Sequence, residues 1–277
     1  MFGSAEVGHE PAFAKTTAKS ARLPESRIPN PESRIPNPES MNLLAFETST
    51  EALSVALSVD GDVRERFELA PRRHAELSLP WAEELLADAG IGRSQLDAIA
   101  VGRGPGAFTG VRLAIALAQG IALALDRPVV AVSTLAALAM RAEAHGATSS
   151  VLAAIDARMG EVYSAAYELR DGEAHALGVE RVGVPGSVVV PGEEGGWIGV
   201  GTGFGAVENA LSQRLASRFV SIDATQLPHA ADVARLAVKA FARGEAVAAE
   251  RIEPAYLRNN VALTLVEQQA LRDSKRQ

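Results

Sequence analysis

The sequence predicts an α/β fold made of two copies of a β-β-β-α-β-α unit. Three observations carry that expectation. Short apolar runs of strand length alternate with longer runs of helical period. An Asp-Gly turn falls within a three-strand meander twice, at Asp60-Gly61 and again at Asp171-Gly172. In each half an acidic residue, Glu47 or Asp156, stands at the end of the first strand of that meander.

The first half justifies its elements in order. Asn42 to Phe46 is an apolar run that reads as a strand, followed after the polar turn Glu47-Thr48-Ser49-Thr50-Glu51 by a second strand, Ala52 to Val59. Val63 to Leu69 alternates apolar and charged residues and completes the meander. A helix is expected from about Arg73 to Ala89, with Leu77, Trp81 and Leu85 on one face, Gly90 as its stop and Pro80 as a bend or a late start. Leu96 to Gly102 reads as a buried strand that delivers the chain into a glycine-rich turn, Gly102, Gly104, Gly106 and Gly110. The helix from about Thr109 to Leu125 holds Arg112 as its one charged residue, so both of its sides call for cover. Ala116, Gly120 and Ala124 form a small-residue seam along it that admits another helix, either the Trp81 helix or one from another subunit. VVAV, ending at Val132, is a strand, and a helix from Thr134 to about Ala144 closes the unit.

The second half repeats this pattern more loosely. Val151 to Asp156, the turn Ala157 to Glu161 and Val162 to Arg170 restart the meander. Val179 to Gly196 shows no assignable period, after which Trp197 to Gly201 is a strand, about Ala206 to Leu215 a helix, FVSID a strand and about Ala230 to Arg243 a helix. The predicted divisions are a disordered extension at residues 1–40, lobes at 41–147 and 148–258, and a tail at 259–277 that ends in a short helix with Leu263, Val266 and Leu271 or in partial disorder. The extension contains the repeat PESRIPNPESRIPNPES, too poor in apolar residues to offset the entropy of ordering it. It is expected to be dispensable, with Met41 as the physiological start.

Composition narrows the function. The chain has 277 residues, 47% hydrophobic and 22% charged, as expected of a soluble globular protein. No cysteine is present, which excludes disulfides, a thiol nucleophile and a Cys-based metal site and makes a reducing cytoplasm the expected compartment. A net charge of −7 argues against a broad electropositive nucleic-acid surface. Arg112 and Gln119 interrupt the most apolar helix, so no membrane span is expected. The five histidines stand too far apart for a local H-x-x-x-H metal pair, which disfavours a metallopeptidase-like activity.

The glycine turn admits two accounts, an anion cradle at a helix N-terminus and a close approach of two backbone segments. Gly102-x-Gly104-x-x-Ala107 imitates a dinucleotide fingerprint, but the acidic residue required on the next strand is missing. A duplicated meander with an acidic, hydroxyl-bearing turn after its first strand resembles the actin, sugar kinase and chaperone ATPase (ASKHA) superfamily. In that arrangement Thr48, Ser49 and Thr50 would donate to phosphate, Glu47 would hold a metal-bound water, and Gly104, Gly106, Asp156, Gly201 and Gly203 would complete a nucleotide site. Arg158 and Met159 in the second turn stand where small residues are expected, so a degenerate cleft and a working one both remain open.

The segments LLAFETSTEALSVAL, HAELSLPWAEELL, DAIAVGRGPGAFTGVRLAIALAQGIAL, PVVAVSTLAALA, DARMGEVYSAAY and PAYLR resemble the TsaB family, also called YeaZ, over about Met41 to Arg258. The resemblance implies a non-catalytic partner of its paralogue TsaD, the subunit that attaches threonylcarbamoyl to the adenosine adjoining the anticodon in tRNAs reading A-starting codons. It implies that the ATPase TsaE joins the complex, that tRNA is reached through the complex, and that the chain pairs with itself when TsaD is absent. Docking would use Leu77, Trp81, Leu85, Arg112, Ala116, Gln119, Gly120 and Leu123 on the two N-lobe helices, in a four-helix interface with the paired helices of TsaD. No cofactor is required under this reading, although ATP or ADP could sit at the complex interface. The H-x-x-x-H pair that binds the catalytic metal in TsaD falls on Thr134 and Leu138, and neither can ligate it. Glu47 stands where the family often has Asp. The competing expectation is an independent ATP-dependent enzyme of the superfamily using Glu47, Thr48, Asp156 and Gly201 to Gly205.

Overall fold

The computed structural model describes residues 41–142 and 148–258. The first half supplies β1 (Leu43–Glu47), β2 (Ala52–Val59), β3 (Asp62–Leu69), α1 (His74–Ala89), β4 (Ala98–Gly102), α2 (Phe108–Leu125), β5 (Val129–Val132) and α3 (Thr134–Ala139). The second supplies β6 (Ser149–Arg158), β7 (Glu161–Arg170), β8 (Glu173–Ala176), β9 (Arg181–Gly183), β10 (Trp197–Val200), α4 (Ala206–Arg214), β11 (Phe219–Asp223) and α5 (Ala230–Ala242).

The duplication is visible in the strand order. One sheet runs β3-β2-β1-β4-β5 and the other β8-β7-β6-β10-β11, with β9 added along β7. In both, the meander strands are antiparallel and the last two strands lie parallel to the first strand of the meander. A parallel strand needs a crossover connection, which α2 supplies between β4 and β5.

The final helix of each half packs on the sheet of the other half. α5 lies along β1 to β5, whereas α3 lies on β6, β7 and β8, and the two helices touch. One apolar core therefore runs from the inner face of the first sheet (Leu43, Ala45, Ala100) through α3 and α5 to the inner face of the second (Val151, Ala153, Val200). A second core fills the space between the outer face of the first sheet and α1 and α2, and a third lies under α4. Because both faces of β1 and β2 are covered, their residues read as continuous apolar runs; β3, at the edge, alternates.

Glu65 anchors α5 to the first sheet. Its carboxylate accepts hydrogen bonds from Ser54 Oγ at 2.6 Å, Ala231 N at 2.9 Å and His229 Nδ1 at 2.8 Å. Ser54 Oγ accepts in turn from Ala230 N at 2.8 Å, and the His229 ring stacks on Phe67. Two orphan amides at the start of α5 thus find acceptors on two strands of the other half, Ala230 N on β2 and Ala231 N on β3.

Several boundaries depart from the sequence expectation. α1 runs through Pro80 and begins at His74, so the proline does not delay it. α3 ends at Ala139 instead of near Ala144, because Arg141 N and Ala142 N turn back to Leu138 O and Ala139 O in tight i→i−3 bonds. β6 and β7 extend toward each other until only Met159 and Gly160 remain between them. Part of the stretch from Val179 to Gly196 forms β9. The first turn of α4 is irregular, with Val207, Glu208 and Asn209 at φ of 50°, 56° and 62°. The expected extension at 1–40 and the expected tail helix lie outside the described residues. By length and composition α2, with a mean hydropathy of 1.7, would suffice to cross a bilayer. Its inner face packs on β4 and β1, and its two strongly polar residues bond within the chain, as in a helix lying on a sheet.

Candidate functional site

The glycine turn is filled by the chain's own backbone. A Cβ on Gly102 would stand 1.9 Å from Glu47 Oε2, one on Gly106 2.5 Å from Ser49 O, and one on Gly110 2.0 Å from Thr48 O. Ala107 N donates to Ser49 O at 2.7 Å and Thr48 Oγ1 donates to Gly110 O at 2.7 Å. The missing side chains let the β1–β2 turn lie against the β4–α2 turn, so close packing accounts for these glycines. Gly104, at φ 91°, faces Val111.

Glu47 is sealed beneath this contact at 1% exposure. Its carboxyl accepts from Ser49 N at 2.7 Å and from Thr134 Oγ1 at 3.0 Å. Burial pushes its pKa above the usual carboxylate range, against the opposing pull of the Ser49 and Thr134 hydrogen-bonding groups. Thr134 is fully buried, and so is Leu138, which packs so near Gly201 that a Cβ there would come within 2.5 Å of Leu138 Cδ2. Thr134 and Leu138 are therefore interior packing positions.

The second turn does not form a phosphate cradle either. Asp156 accepts from Arg158 N at 2.8 Å and from Arg158 Nη1 at 3.1 Å, and Arg158, Met159 and Gly160 all take positive φ in a tight hairpin. Gly201 and Gly203 let β10 leave the sheet over β6: their Cβ positions would meet Ala154 O at 2.3 Å and Ala154 Cβ at 2.7 Å. Of the residues predicted for a nucleotide site, Ser49, Thr50, Gly106 and Asp156 line a common cleft, whereas Glu47, Thr48, Gly104, Gly201 and Gly203 do not. Thr48 is buried with its hydroxyl already committed, which corrects the expectation that it donates to phosphate. These residues do not fit a nucleotide held between two phosphate turns.

That cleft has a volume of about 810 Å³. The segment from Pro254 to Arg258 lines it and straps the two halves together. Ala255 N donates to Arg103 O at 2.9 Å, Tyr256 OH bonds Arg112 Nη2 at 2.5 Å, and Arg258 bonds Ala157 O and Glu161. The Arg112 guanidinium also lies 3.3 Å over the Phe108 ring. Tyr256 and Arg258 were not among the residues expected at a site; an aromatic and a cation following a proline-fixed turn are the signal in the sequence that could have found them.

The other candidate surface is the outside of α1 and α2. Leu77 and Trp81 are half-buried, and Leu85, at 3% exposure, turns into the core and cannot present a surface. On α2, Val111, Ala114, Ile115, Ala118 and Ala122 face inward. Arg112, Ala116, Gly120 and Ala124 face outward with Leu123, which is 64% exposed, and Phe108, which is 61% exposed. Gln119 is half-buried and donates to Ala249 O at 3.0 Å. Among the described residues no atom of a packing neighbour lies within 4 Å of a Cβ placed on Gly120.

Comparison with known proteins agrees with this geometry. The family model for TsaD, tRNA N6-adenosine threonylcarbamoyltransferase, matches residues 68–265. The chain is 44% identical over 226 residues to the tRNA threonylcarbamoyladenosine biosynthesis protein TsaB of Escherichia coli, covering 80% of this chain and 96% of that one. To TsaB of Haemophilus influenzae it is 39% identical over 232 residues, covering 80% and 95%. The solved structure of YeaZ from Pseudomonas aeruginosa superposes with a TM-score of 0.73 at 52% identity, over 78% of this chain and 100% of that one. With the duplicated sheets, the close-packed glycine turn and the sealed Thr134–Leu138 positions in place, the chain belongs to the TsaB (YeaZ) family.

Proposed function

We propose that this chain acts in tRNA threonylcarbamoyladenosine biosynthesis as a non-catalytic subunit. It docks on TsaD through the outer face of α2, flanked by α1; TsaE joins that complex, tRNA is met through it, and in the absence of TsaD the same face pairs two copies of the chain. The two lobes at 41–147 and 148–258 form the scaffold that presents this face in the cytoplasm. The observation that carries the reading is Gly120. A glycine inside a helix costs about 1 kcal/mol relative to alanine, and no described residue comes within 4 Å of the Cβ position it leaves open. That space admits another helix at close range, beside exposed Ala116, Leu123 and Ala124. The buried Thr134, Leu138 and Glu47 support the absence of a transfer site in this subunit.

The open space also makes the test clean. Position 120 is exposed and a Cβ there meets nothing among the described residues, so the melting temperature of Gly120→Trp should match the parent. Its affinity for TsaD should fall by at least about tenfold, because an overpacked interface costs roughly 1–3 kcal/mol. A pull-down in which Gly120→Trp still retains TsaD would refute docking through this face.

A further inference from the structure

We propose that the small cavity between β7, β9 and the turn at Pro185–Ser187 binds a small free α-amino acid. The cavity has a volume of about 250 Å³ and shares only Leu257 with the larger cleft. Its polar lining is Ser164, Glu180, Arg181 and Ser187. Strand register gathers these groups. Ser164 on β7 stands directly opposite Arg181 on β9, so the two side chains leave the same face of the sheet. Gly183 follows on that face two positions along β9. A Cβ there would meet Ser187 Oγ at 2.7 Å, so the turn folds over the strand and brings a second hydroxyl to the same place. Glu180 enters from the position just before β9.

Hydrogen-bonding capacity selects the ligand. Ser164 is 7% exposed, and its hydroxyl makes no hydrogen bond with a described residue, although buried polar groups in folded proteins are nearly always satisfied. Arg181 makes no ion pair or hydrogen bond with a described residue either, and a guanidinium only donates. These two groups call for an anionic acceptor, and together they suit the two oxygens of a carboxylate. The other two have the opposite need. Ser187 Oγ spends its proton on Val184 O at 2.8 Å, so toward the cavity it only accepts. The Glu180 carboxylate accepts from Ser133 Oγ and pairs with Arg103 Nη2 at 3.4 Å, which leaves lone pairs for one more donor. A single ligand that meets both needs carries a carboxylate and, close beside it, an ammonium group. A cavity of about 250 Å³ has room for roughly eight waters, so the accompanying side chain is short, with Val188 and Leu257 as its apolar contacts.

The test is an NMR titration of the full, isotope-labelled chain with glycine, L-alanine and L-serine, and with propionate and ethylamine, which keep one charge each. Saturable shifts of the Ser164, Arg181, Gly183 and Ser187 amides with at least one of the amino acids, and none with propionate or ethylamine over the same concentrations, are the expected result. Arg181→Ala removes an exposed cation that no described residue uses. It should melt as the parent does and weaken the amino acid by roughly tenfold or more, the loss of a charge-assisted pair. Ser164→Ala should weaken it as well while keeping the parent's melting temperature. Arg93→Ala, which removes a surface pair with Glu83 in the first half, should leave affinity unchanged. The proposal is overturned if none of the three amino acids binds, if propionate or ethylamine binds as tightly, if the shifts fall elsewhere in the chain, or if Arg181→Ala leaves affinity unchanged. The cavity lies in the second half and α2 in the first, so Gly120→Trp should bind the amino acid as the parent does, and failure of either reading is seen separately.

Discussion

Glu47 shows how one residue decides between two readings of the same turn. An exposed carboxylate there would serve a metal-bound water; a sealed one, bonded to Ser49 N and Thr134 Oγ1, is a packing group whose charge is unwelcome. Its pKa is raised by burial, so the folded protein holds this proton more tightly than the unfolded chain does. The resulting stability is fully present below the unfolded pKa and is lost as pH rises through the folded one. Glu47→Gln should therefore change the melting temperature little near about pH 4 and raise it progressively toward about pH 8; a variant less stable than the parent at the higher pH would contradict the sealed-carboxyl account. Glu65 has the opposite sign. Burial acts to raise its pKa, but the His229, Ser54 and Ala231 hydrogen bonds outweigh it and hold the carboxyl below its usual value. Its contribution is present at neutral pH and falls away as pH drops through the folded pKa. Glu65→Ala, which strands the Ser54 hydroxyl, the Ala231 amide and the His229 ring nitrogen, should cost about 2–4 kcal/mol in denaturant melts at neutral pH.

Among the elements, α2 concentrates the functional argument, and its glycines divide by what surrounds them. Gly110 is required by the fold, since a Cβ would strike Thr48 O, whereas Gly120 is not. Gly110→Ala should lower the melting temperature markedly, and Gly120→Ala should raise stability by about 0.5–1 kcal/mol through helix propensity alone; equal effects from the two would undo the distinction. The sequence showed the helix, its small-residue seam and its start to within a residue, because helical period and glycine spacing are local signals. It could not show that Leu85 points into the core while Leu123 points out, since both are leucines at apolar positions of amphipathic helices. Nor could it show whether the glycine turn faced an anion or the β1–β2 turn. That depends on a partner segment roughly sixty positions away in the chain, and only the fold brings Thr48 and Gly110 together.

At the scale of the whole molecule, the repeated meander made the duplication legible before any coordinates, and both sheets carry the same strand order. The exchange of α3 and α5 between the sheets was not legible, because an apolar helix face does not say which sheet it covers. The same limit hid the strap from Pro254 to Arg258, whose contacts reach residues about 100 to 150 positions earlier in sequence. Together the two features couple the halves: α5 closes the first sheet, and the strap joins the N-terminal part of α2 to the β6–β7 hairpin. In the function we propose, the outer face of α2 is the working surface, while Thr134 and Leu138 are filled core. The most direct measurement of that account is threonylcarbamoyl transfer to tRNA in a reconstituted mixture of TsaD, TsaE and this chain. The account predicts that Gly120→Trp, folded and equally stable, abolishes the stimulation that the parent chain gives, while Glu47→Gln preserves it. Full stimulation by Gly120→Trp together with its loss in Glu47→Gln would contradict the account.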